Sequence, residues 1–177
     1  MRKVIYGGAC SLDGFLAGPG GSLDWLHFSK DVEAVTAKSW AEADTLLWGR
    51  KTWDFSQGVG GGPPTQGFTQ YVFSRTLTEA PGAQLVNEDA GAFVRNLKQR
   101  SGKDILVMSG GNLAGSLLAA GVIDEIGLNI HPLLLGSGVP AFPDAGVRIQ
   151  LELVEARPIE GGCVMVRYQV VAPSKRG

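Results

Sequence analysis

The sequence predicts an α/β domain built on a mixed central sheet, mainly parallel with antiparallel C-terminal strands, and flanked by helices. One reason is that short apolar runs alternate with helical patterns over residues 3–120, as they do where crossover helices join parallel strands. A second reason is that the pattern changes from Val122 onward. There, segments with period-two alternation are joined by Pro and Gly turns, which indicates strands that finish the sheet in antiparallel fashion.

The length and composition predict one domain over residues 1–177, because 44% apolar residues supply one substantial core. The 16 basic and 17 acidic residues nearly cancel, so we expect neither nucleic acid nor a membrane as a partner. We also expect no export signal and no membrane span, which would need roughly 18 to 20 apolar residues. Cys10 and Cys163 lie far apart, which predicts two reduced, buried thiols in a cytoplasmic protein.

The first predicted strand covers Lys3–Ala9, and a polar, glycine-rich loop follows over residues 11–24. Gly7 and Gly8, near the end of this strand, leave room for the flat face of a ligand. We therefore expect this strand to lie at the floor of a binding site.

A helix is predicted over Asp31–Ala43, with Ser29 as its N-terminal cap. Its apolar groups recur at spacings of three and four residues, as one side of a helix requires. They are Val32, Val35, Ala37 and Trp40.

Three continuous apolar runs have the character of strands buried on both faces. They are TLLWG at 45–49, YVFSR at 71–75 and DILVMSGGN at 104–112. Helices are predicted after the second and third runs, at Glu88–Arg100 and Leu113–Ala120, and Gly121 ends the latter. Strand and helix thus alternate through this part of the chain.

Each of these three runs leads into polar or glycine-rich residues, which are Arg50-Lys51-Thr52, Ser74-Arg75 and Gly110-Gly111-Asn112. In an open parallel sheet, ligands bind at the carboxyl ends of the strands, so we expect the three segments to converge. Guanidinium groups beside hydroxyls suit phosphate oxygens, and a glycine-rich helix start offers free backbone N–H groups to an anion. The alternative for each segment alone is a solvated surface or a simple turn.

At the level of whole motifs the chain resembles the dihydrofolate reductase-like superfamily. The branch that it resembles most contains the reductase domain of the riboflavin-biosynthesis deaminase-reductase. The resemblance rests on the order and spacing of four segments, which are SLDGFLAG at 11–18, ADTLLWGRKTW at 43–53, VFSRTL at 72–77 and SGGNLAGSLLAAGVIDEIGLNIHPLLLGSGVPAF at 109–142. It implies a three-layer fold of that type.

The resemblance also implies an NADPH site. The implied cofactor-binding residues are Ala9, Leu16, Gly49, Arg50, Lys51, Thr52, Ser74, Arg75, Gly110, Gly111, Asn112, Leu113 and Ala114. Ala9 and Leu16 match positions beside the nicotinamide, and the others match positions around the phosphates. A preference for NADPH over NADH follows from Arg50 and Arg75, because a guanidinium recognises a phosphate monoester better than a ribose hydroxyl.

The substrate side is less defined by sequence. In folate reductases a carboxylate on the first helix holds the pterin, so Asp31 and Glu33 are candidate catalytic acids, with Asp13 as a third. Asp54 is the acid nearest to the position that binds the sugar phosphate in the riboflavin-pathway reductases, and Trp25 could stack on a planar ring. Asp13 before Gly14 is also a common turn residue.

We therefore predict an NADPH-dependent oxidoreductase that passes hydride to a small heterocyclic molecule, of the pterin or pyrimidinone type. The alternatives are a nucleotide-binding or regulatory protein without turnover, and a purely structural dimer. Alternating apolar residues in the last strands favour a homodimer formed through sheet edges or faces. With only His27 and His131 in the chain, and no ligand-spaced carboxylates, we expect no metal site.

Overall fold

The structure, a computed structural model, describes residues 1–58 and 66–171. Four α-helices lie in this part of the chain: α1 (Lys30–Glu42), α2 (Arg50–Gly58), α3 (Ala90–Lys98) and α4 (Gly111–Ala119). The strands are β1 (Val4–Ser11), β2 (Phe15–Ala17), β3 (Ala43–Gly49), β4 (Thr69–Phe73), β5 (Gln84–Val86), β6 (Asp104–Met108), β7 (Glu125–His131), β8 (Val139–Pro140), β9 (Gln150–Ile159) and β10 (Cys163–Val171). Among the described helices, none is long and apolar enough to cross a bilayer.

Eight of these strands form one sheet in the order β5-β4-β3-β6-β1-β7-β10-β9. Every pairing from β5 to β7 is parallel, and β10 pairs antiparallel with both β7 and β9. The short strands β2 and β8 form a separate antiparallel pair. The predicted mixed sheet, mainly parallel with antiparallel strands at the C-terminal end, is confirmed.

One pairing differs from the prediction. The alternating segments after Val122 were expected to be antiparallel, yet β7 runs parallel to β1. The reason is that α4 carries the chain back across the sheet between β6 and β7, which is the crossover that parallel neighbours require. The antiparallel part therefore begins only at the β9–β10 hairpin.

Four elements were not predicted: β2, β5, β8 and α2. The three strands have only two or three residues each, too few for an alternation to be recognised. Helix α2 begins directly at Arg50, where strand β3 ends, so the basic segment of the sequence forms its first turn.

Helix α1 begins as predicted, because the Ser29 hydroxyl accepts a hydrogen bond from the Val32 amide at 3.3 Å. Fewer of its apolar side chains are buried than the sequence predicted. Val32 is buried, Val35 and Trp40 are half-buried, and Ala37 is exposed. Helix α1 consequently covers the sheet with few side chains, and its N-terminal part packs through Val32 against Cys163 of β10.

The core lies on both faces of the sheet. On the face covered by α3 and α4, Val94, Leu97 and Leu117 pack against the central strands. On the opposite face, called here the α1 face, Trp48 of β3 and Trp53 of α2 meet edge to face with ring centroids 5.8 Å apart. This is the three-layer arrangement expected of the family resemblance.

Strand β1 lies in the middle of the sheet yet is not fully covered. Gly8 is exposed, and Gly7 and Ala9 are only half-buried, whereas Tyr6 and Cys10 on either side are buried. Central strands of open α/β sheets are normally covered on both faces. The partly exposed stretch Gly7–Ala9, called here the β1 opening, is therefore a place where a ligand can contact the sheet itself.

Both cysteines are free and buried, as the sequence predicted. Burial raises the pKa of the Cys10 thiol to about 11 and also raises the pKa of Cys163. Neither thiol is therefore prepared to act as a nucleophile near neutral pH.

Candidate functional site

The three polar strand exits lie at one edge of the sheet. Strands β4, β3 and β6 are parallel neighbours, so their carboxyl ends point the same way. A Cβ placed on Gly49, at the end of β3, would overlap the Ser109 hydroxyl at the end of β6. On the other side, Arg50 reaches the loop after β4, where its Nη1 donates to the Thr76 hydroxyl at 3.2 Å. The predicted convergence of the three segments is thus present.

Cationic groups cluster at this carboxyl edge. Arg50 is half-buried and its Nε donates to the Asp54 carboxylate at 2.6 Å, one helical turn further along α2. Both side chains of that pair are about half exposed, at 41% and 50%, so the pair itself contributes little stability. Lys51 and Arg75 are exposed beside it. The edge therefore combines a paired guanidinium with two exposed positive charges.

The N-terminus of α4 adds backbone donors to the same edge. Its cap residue is Gly110, which makes no side-chain capping hydrogen bond, so the first amides of the helix are left without a capping side chain. Gly111 has φ +59°, a conformation that favours glycine. A Cβ on Gly110 would lie 2.6 Å from the Leu16 side chain, so only glycine lets β2 and the helix start approach this closely.

The remaining predicted cofactor-binding residues differ in whether their side chains are accessible to a ligand. Thr52 and Ser74 are half-buried and Asn112 is exposed, so their side chains can reach a ligand. Leu113 and Ala114 of α4 are buried in the hydrophobic core and can contribute only backbone groups to a ligand site. The Ser74 hydroxyl already accepts hydrogen bonds from the amides of the loop that follows β4, which leaves its proton to donate.

A tryptophan from the loop after β2 packs on a histidine at the end of β7, beside the end of β1. Trp25 is half-buried and meets the His131 ring edge to face, with centroids 5.1 Å apart. His131 ends β7 and is only 2% exposed, and burial, together with the charge of His27, lowers its pKa. His131 is therefore neutral near pH 7. His27, by contrast, is exposed.

The Asp13 carboxylate connects the loop after β1 to the loop after β7 through hydrogen bonds. It accepts hydrogen bonds from the Ser11 hydroxyl at 2.6 Å and from the amides of Leu135 and Gly136 at 3.1 and 2.8 Å. The Ser11 hydrogen bond, followed by those amides, lowers the pKa of Asp13 below its ordinary value. These are the contacts of a loop anchor. A carboxylate with a lowered pKa is a poor proton donor at neutral pH, so the catalytic assignment of Asp13 has no support from its surroundings.

We predict that Asp13→Asn lowers the thermal midpoint at pH 7. Because the folded-state pKa of Asp13 is depressed, its contribution is present above the unfolded value of about 3.9 and is lost as the pH falls through the folded pKa. The difference between wild type and variant should therefore shrink as the pH is lowered below about 4. Thermal melts over this range check it, with Glu79→Gln, an exposed acid, as the control. A difference that persists at low pH contradicts the prediction.

The other three candidate acids, Asp31, Glu33 and Asp54, have exposed side chains. Asp31, in the first turn of α1, is exposed and accepts a hydrogen bond from the Glu160 amide at 3.0 Å, in the turn between β9 and β10. Glu33 is exposed. Asp54 pairs with Arg50. The catalytic roles of Asp31 and Glu33 and the substrate role of Asp54 stay predictions.

Two polar residues near the β1 opening were missed by the sequence reasoning. Asn129 of β7 and Arg167 of β10 each carry a buried polar atom, Oδ1 and Nε respectively, that has no hydrogen-bond partner among residues 1–58 and 66–171. The signal that could have found Asn129 is its place in GLNIH, where a polar residue interrupts a strand expected to be buried.

A separate depression of about 350 Å³ lies at the opposite edge of the sheet, where β4 and β5 begin. Its lining consists of Phe68, Thr69, Gln70, Gly82, Ala83 and Gln84, and contains no ionisable side chain. It therefore offers neither the charge nor the helix terminus found at the carboxyl edge.

The fold and this edge define the dihydrofolate reductase-like class of α/β proteins. Within that class the chain belongs to the RibD C-terminal domain family, whose profile matches residues 2–165.

Relatives in sequence agree with this assignment. The chain is 34% identical over 180 residues to the uncharacterized protein YyaP of Bacillus subtilis strain 168, with 95% of each chain covered. It is 30% identical over 164 residues to the riboflavin biosynthesis protein RibD of Mycobacterium tuberculosis, covering 83% of this chain and 47% of that protein. The chain thus corresponds to about half of that RibD.

Solved structures share the fold. A candidate riboflavin biosynthesis protein from Shewanella sp. PV-4 matches with a TM-score of 0.87 and 25% identity, over 97% of this chain and 100% of the other. A dihydrofolate reductase from Enterococcus faecalis, complexed with NADP(H), matches with a TM-score of 0.69 and 17% identity, over 95% and 96%. The second likeness concerns the fold alone.

Proposed function

We propose that this protein is an NADPH-dependent reductase that transfers hydride to a small heterocyclic molecule. The observation that carries the proposal is the convergence of Arg50, the Ser74–Thr76 loop and the glycine start of α4 at one carboxyl edge. Guanidinium groups and free helix amides are the two kinds of group that bind phosphates in proteins. The Enterococcus faecalis enzyme of the same fold was solved with NADP(H), which supports the choice of coenzyme.

The residues at this edge fit such a coenzyme. The uncapped amides at the start of α4 suit a pyrophosphate, and a ligand can approach the backbone at Gly111, where a Cβ would meet no heavy atom within 4 Å. Arg50 and Arg75 suit the additional phosphate monoester. The β1 opening, with no side chain larger than that of Ala9, suits a flat ring.

Bound NADPH would supply the hydride, so the chain itself needs no nucleophile. Its residues bind and orient the reactants: the cationic edge neutralises phosphate charge, and the β1 opening sets the depth at which a ring can lie. The loop anchored by Asp13 closes the end of β1 through the Leu12 amide, which donates to the Leu133 carbonyl at 2.9 Å. A fixed loop at this position helps to exclude water from the site.

Two measurements test the proposal. Calorimetric titration with NADPH and NADH should show binding with a preference for NADPH, and oxidation of NADPH should be seen with at least one member of a panel of pterins, pyrimidinones and quinones. Binding without oxidation of any of them favours a nucleotide-binding or regulatory protein. No binding of either dinucleotide overturns the proposal.

We also propose a homodimer that forms through the C-terminal strands. Edge strand β9 exposes apolar side chains, with Leu151 at 40% and Leu153 at 60% exposure. They pair in register with Val170 and Tyr168, which are only half-buried, so an apolar surface continues across two strands. Exposed, contiguous apolar surface of this kind marks association sites.

We predict that Leu151→Glu with Leu153→Glu converts the dimer to a monomer, because two charges would have to be buried at the contact. Sedimentation velocity measures the change. Glu152→Gln, on the other face of the same strand, is the control and should stay dimeric. A wild-type protein that is monomeric at micromolar concentration, or a double variant that remains dimeric, contradicts this proposal.

A further inference from the structure

Two buried polar atoms on the α1 face have no partner among the described residues. Asn129 is 5% exposed, its Oδ1 is unpaired, and its Nδ2 contacts the Nε2 of His131 at 3.2 Å. Arg167 has an unpaired, buried Nε, although its outer guanidinium nitrogen lies 3.8 Å from the Glu155 carboxylate. Buried polar groups in native proteins are nearly always hydrogen-bonded, so these two neighbouring atoms are available to bind a polar ligand.

The two residues are neighbours on one face. In the antiparallel register of β7 and β10, Asn129 lies opposite Met165 and Gly127 lies opposite Arg167. Side chains two residues apart in a strand point to the same face, so Asn129 and Arg167 are diagonal neighbours, roughly 7–8 Å apart. Met165 packs with Val32 of α1, which identifies the face.

The pair borders the β1 opening. In the parallel register of β1 and β7, Ala9 lies opposite Asn129 and Gly7 opposite Gly127. A ring that rests on the β1 opening would therefore have its edge beside these two side chains. The His131 contact fixes the plane of the Asn129 amide, and Trp25 in turn packs on His131.

We propose that Asn129 and Arg167 recognise the polar edge of the substrate, an inference that rests on the proposed reductase function. Asn129 Oδ1 can only accept a hydrogen bond and Arg167 Nε can only donate one. The complementary edge carries an N–H beside a carbonyl, which is the edge of a cyclic amide. Recognition thus uses a neutral amide and a guanidinium on the sheet in place of a carboxylate on the first helix.

The test uses lumazine, a fluorescent bicyclic compound with two ring N–H groups beside carbonyls, and 1,3-dimethyllumazine, which keeps the carbonyls and lacks both N–H groups. In the NADPH-saturated wild-type protein, lumazine should bind at least tenfold more tightly than its dimethyl analogue. Asn129→Leu should weaken lumazine binding at least tenfold and bring the ratio of the two affinities close to one. A ratio that persists in this variant reflects steric exclusion of the methyl groups and overturns the role of Asn129.

Arg167→Met should likewise weaken lumazine binding at least tenfold. The matched control is Gln169→Met, an exposed residue on the same face of β10, which should leave it unchanged within about twofold. NADPH affinity, measured on each variant, should stay within about twofold of wild type and verifies folding. Should Asn129→Leu fail to fold, Asn129→Ala takes its place, because the ratio on wild-type protein alone does not separate hydrogen bonding from steric exclusion.

The possible failures are distinguishable. Wild-type protein that binds NADPH but binds both lumazines equally, or binds neither, overturns this inference and leaves the proposed function standing. Protein that does not bind NADPH overturns the proposed function itself. Loss of NADPH binding in Asn129→Leu or Arg167→Met would show that the pair serves the fold or the coenzyme, which also contradicts the inference.

Discussion

Replacing Arg50 and Arg75 together by Gln is expected to raise the dissociation constant for NADPH at least tenfold, which corresponds to about 1.4 kcal/mol or more. Arg50 is held at the carboxyl edge by Asp54 and Thr76, and Arg75 lies beside Thr76 in the loop after β4. We therefore expect both guanidinium groups to contact one phosphate monoester. NADH lacks that group, so its affinity should fall less, and the preference for NADPH should narrow.

The matched control removes the same charge elsewhere. Arg100 and Arg148 are exposed and lie at the amino edge of the sheet, close to where β6 and β9 begin, so Arg100→Gln with Arg148→Gln should leave NADPH binding unchanged. Calorimetry at low and moderate salt measures the affinities of wild type and both double variants for NADPH and NADH, and the effect of replacing Arg50 and Arg75 should diminish as salt screens the charges. Equal losses in the two double variants would mean that only net charge matters and would contradict a specific phosphate site.

The sequence predicted the carboxyl edge well because its signals are local. Continuous apolar runs that end in Arg50, Ser74 and Gly110 indicate buried parallel strands, and parallel strands bring their ends together whatever the order of the sheet. The cap of α1 at Ser29 was likewise visible, because it depends on a side chain and an amide three residues apart. Local patterns of this kind require no knowledge of the tertiary structure.

What the sequence did not show depends on long-range pairing. Asn129 and Arg167 are far apart in the chain and meet only through the register of β7 and β10. The direction of β7 depends on the crossover of α4, which periodicity alone does not reveal. The sequence left open whether Asp13 is a turn residue or a catalytic acid, and the hydrogen bonds that it accepts from the amides of Leu135 and Gly136 favour a structural role in the turn. Substrate recognition was therefore the part of the site least accessible to prediction.

Gly7→Ala is expected to destabilise the protein by about 3 kcal/mol, the upper end of what overpacking typically costs. Gly7 faces Gly127 across the β1–β7 ladder, and a Cβ on Gly7 would overlap the Gly127 carbonyl oxygen, a backbone atom that cannot turn away. The overlap can be removed only if β1 and β7 move apart at the centre of the sheet. For a protein of this size the thermal midpoint should fall by roughly 6–12 °C.

The register partner of Gly7 is the natural control, because a Cβ on Gly127 meets no heavy atom within 4 Å. Gly127→Ala should change stability by no more than about 1 kcal/mol, since alanine also restricts the unfolded chain. Urea unfolding of both variants gives the comparison. The close approach of the two backbones is what keeps the β1 opening free of side chains, so the same contact that makes Gly7 indispensable to the fold also shapes the proposed site. Equal stability of the two variants would show that the strands can part without cost, which contradicts this prediction.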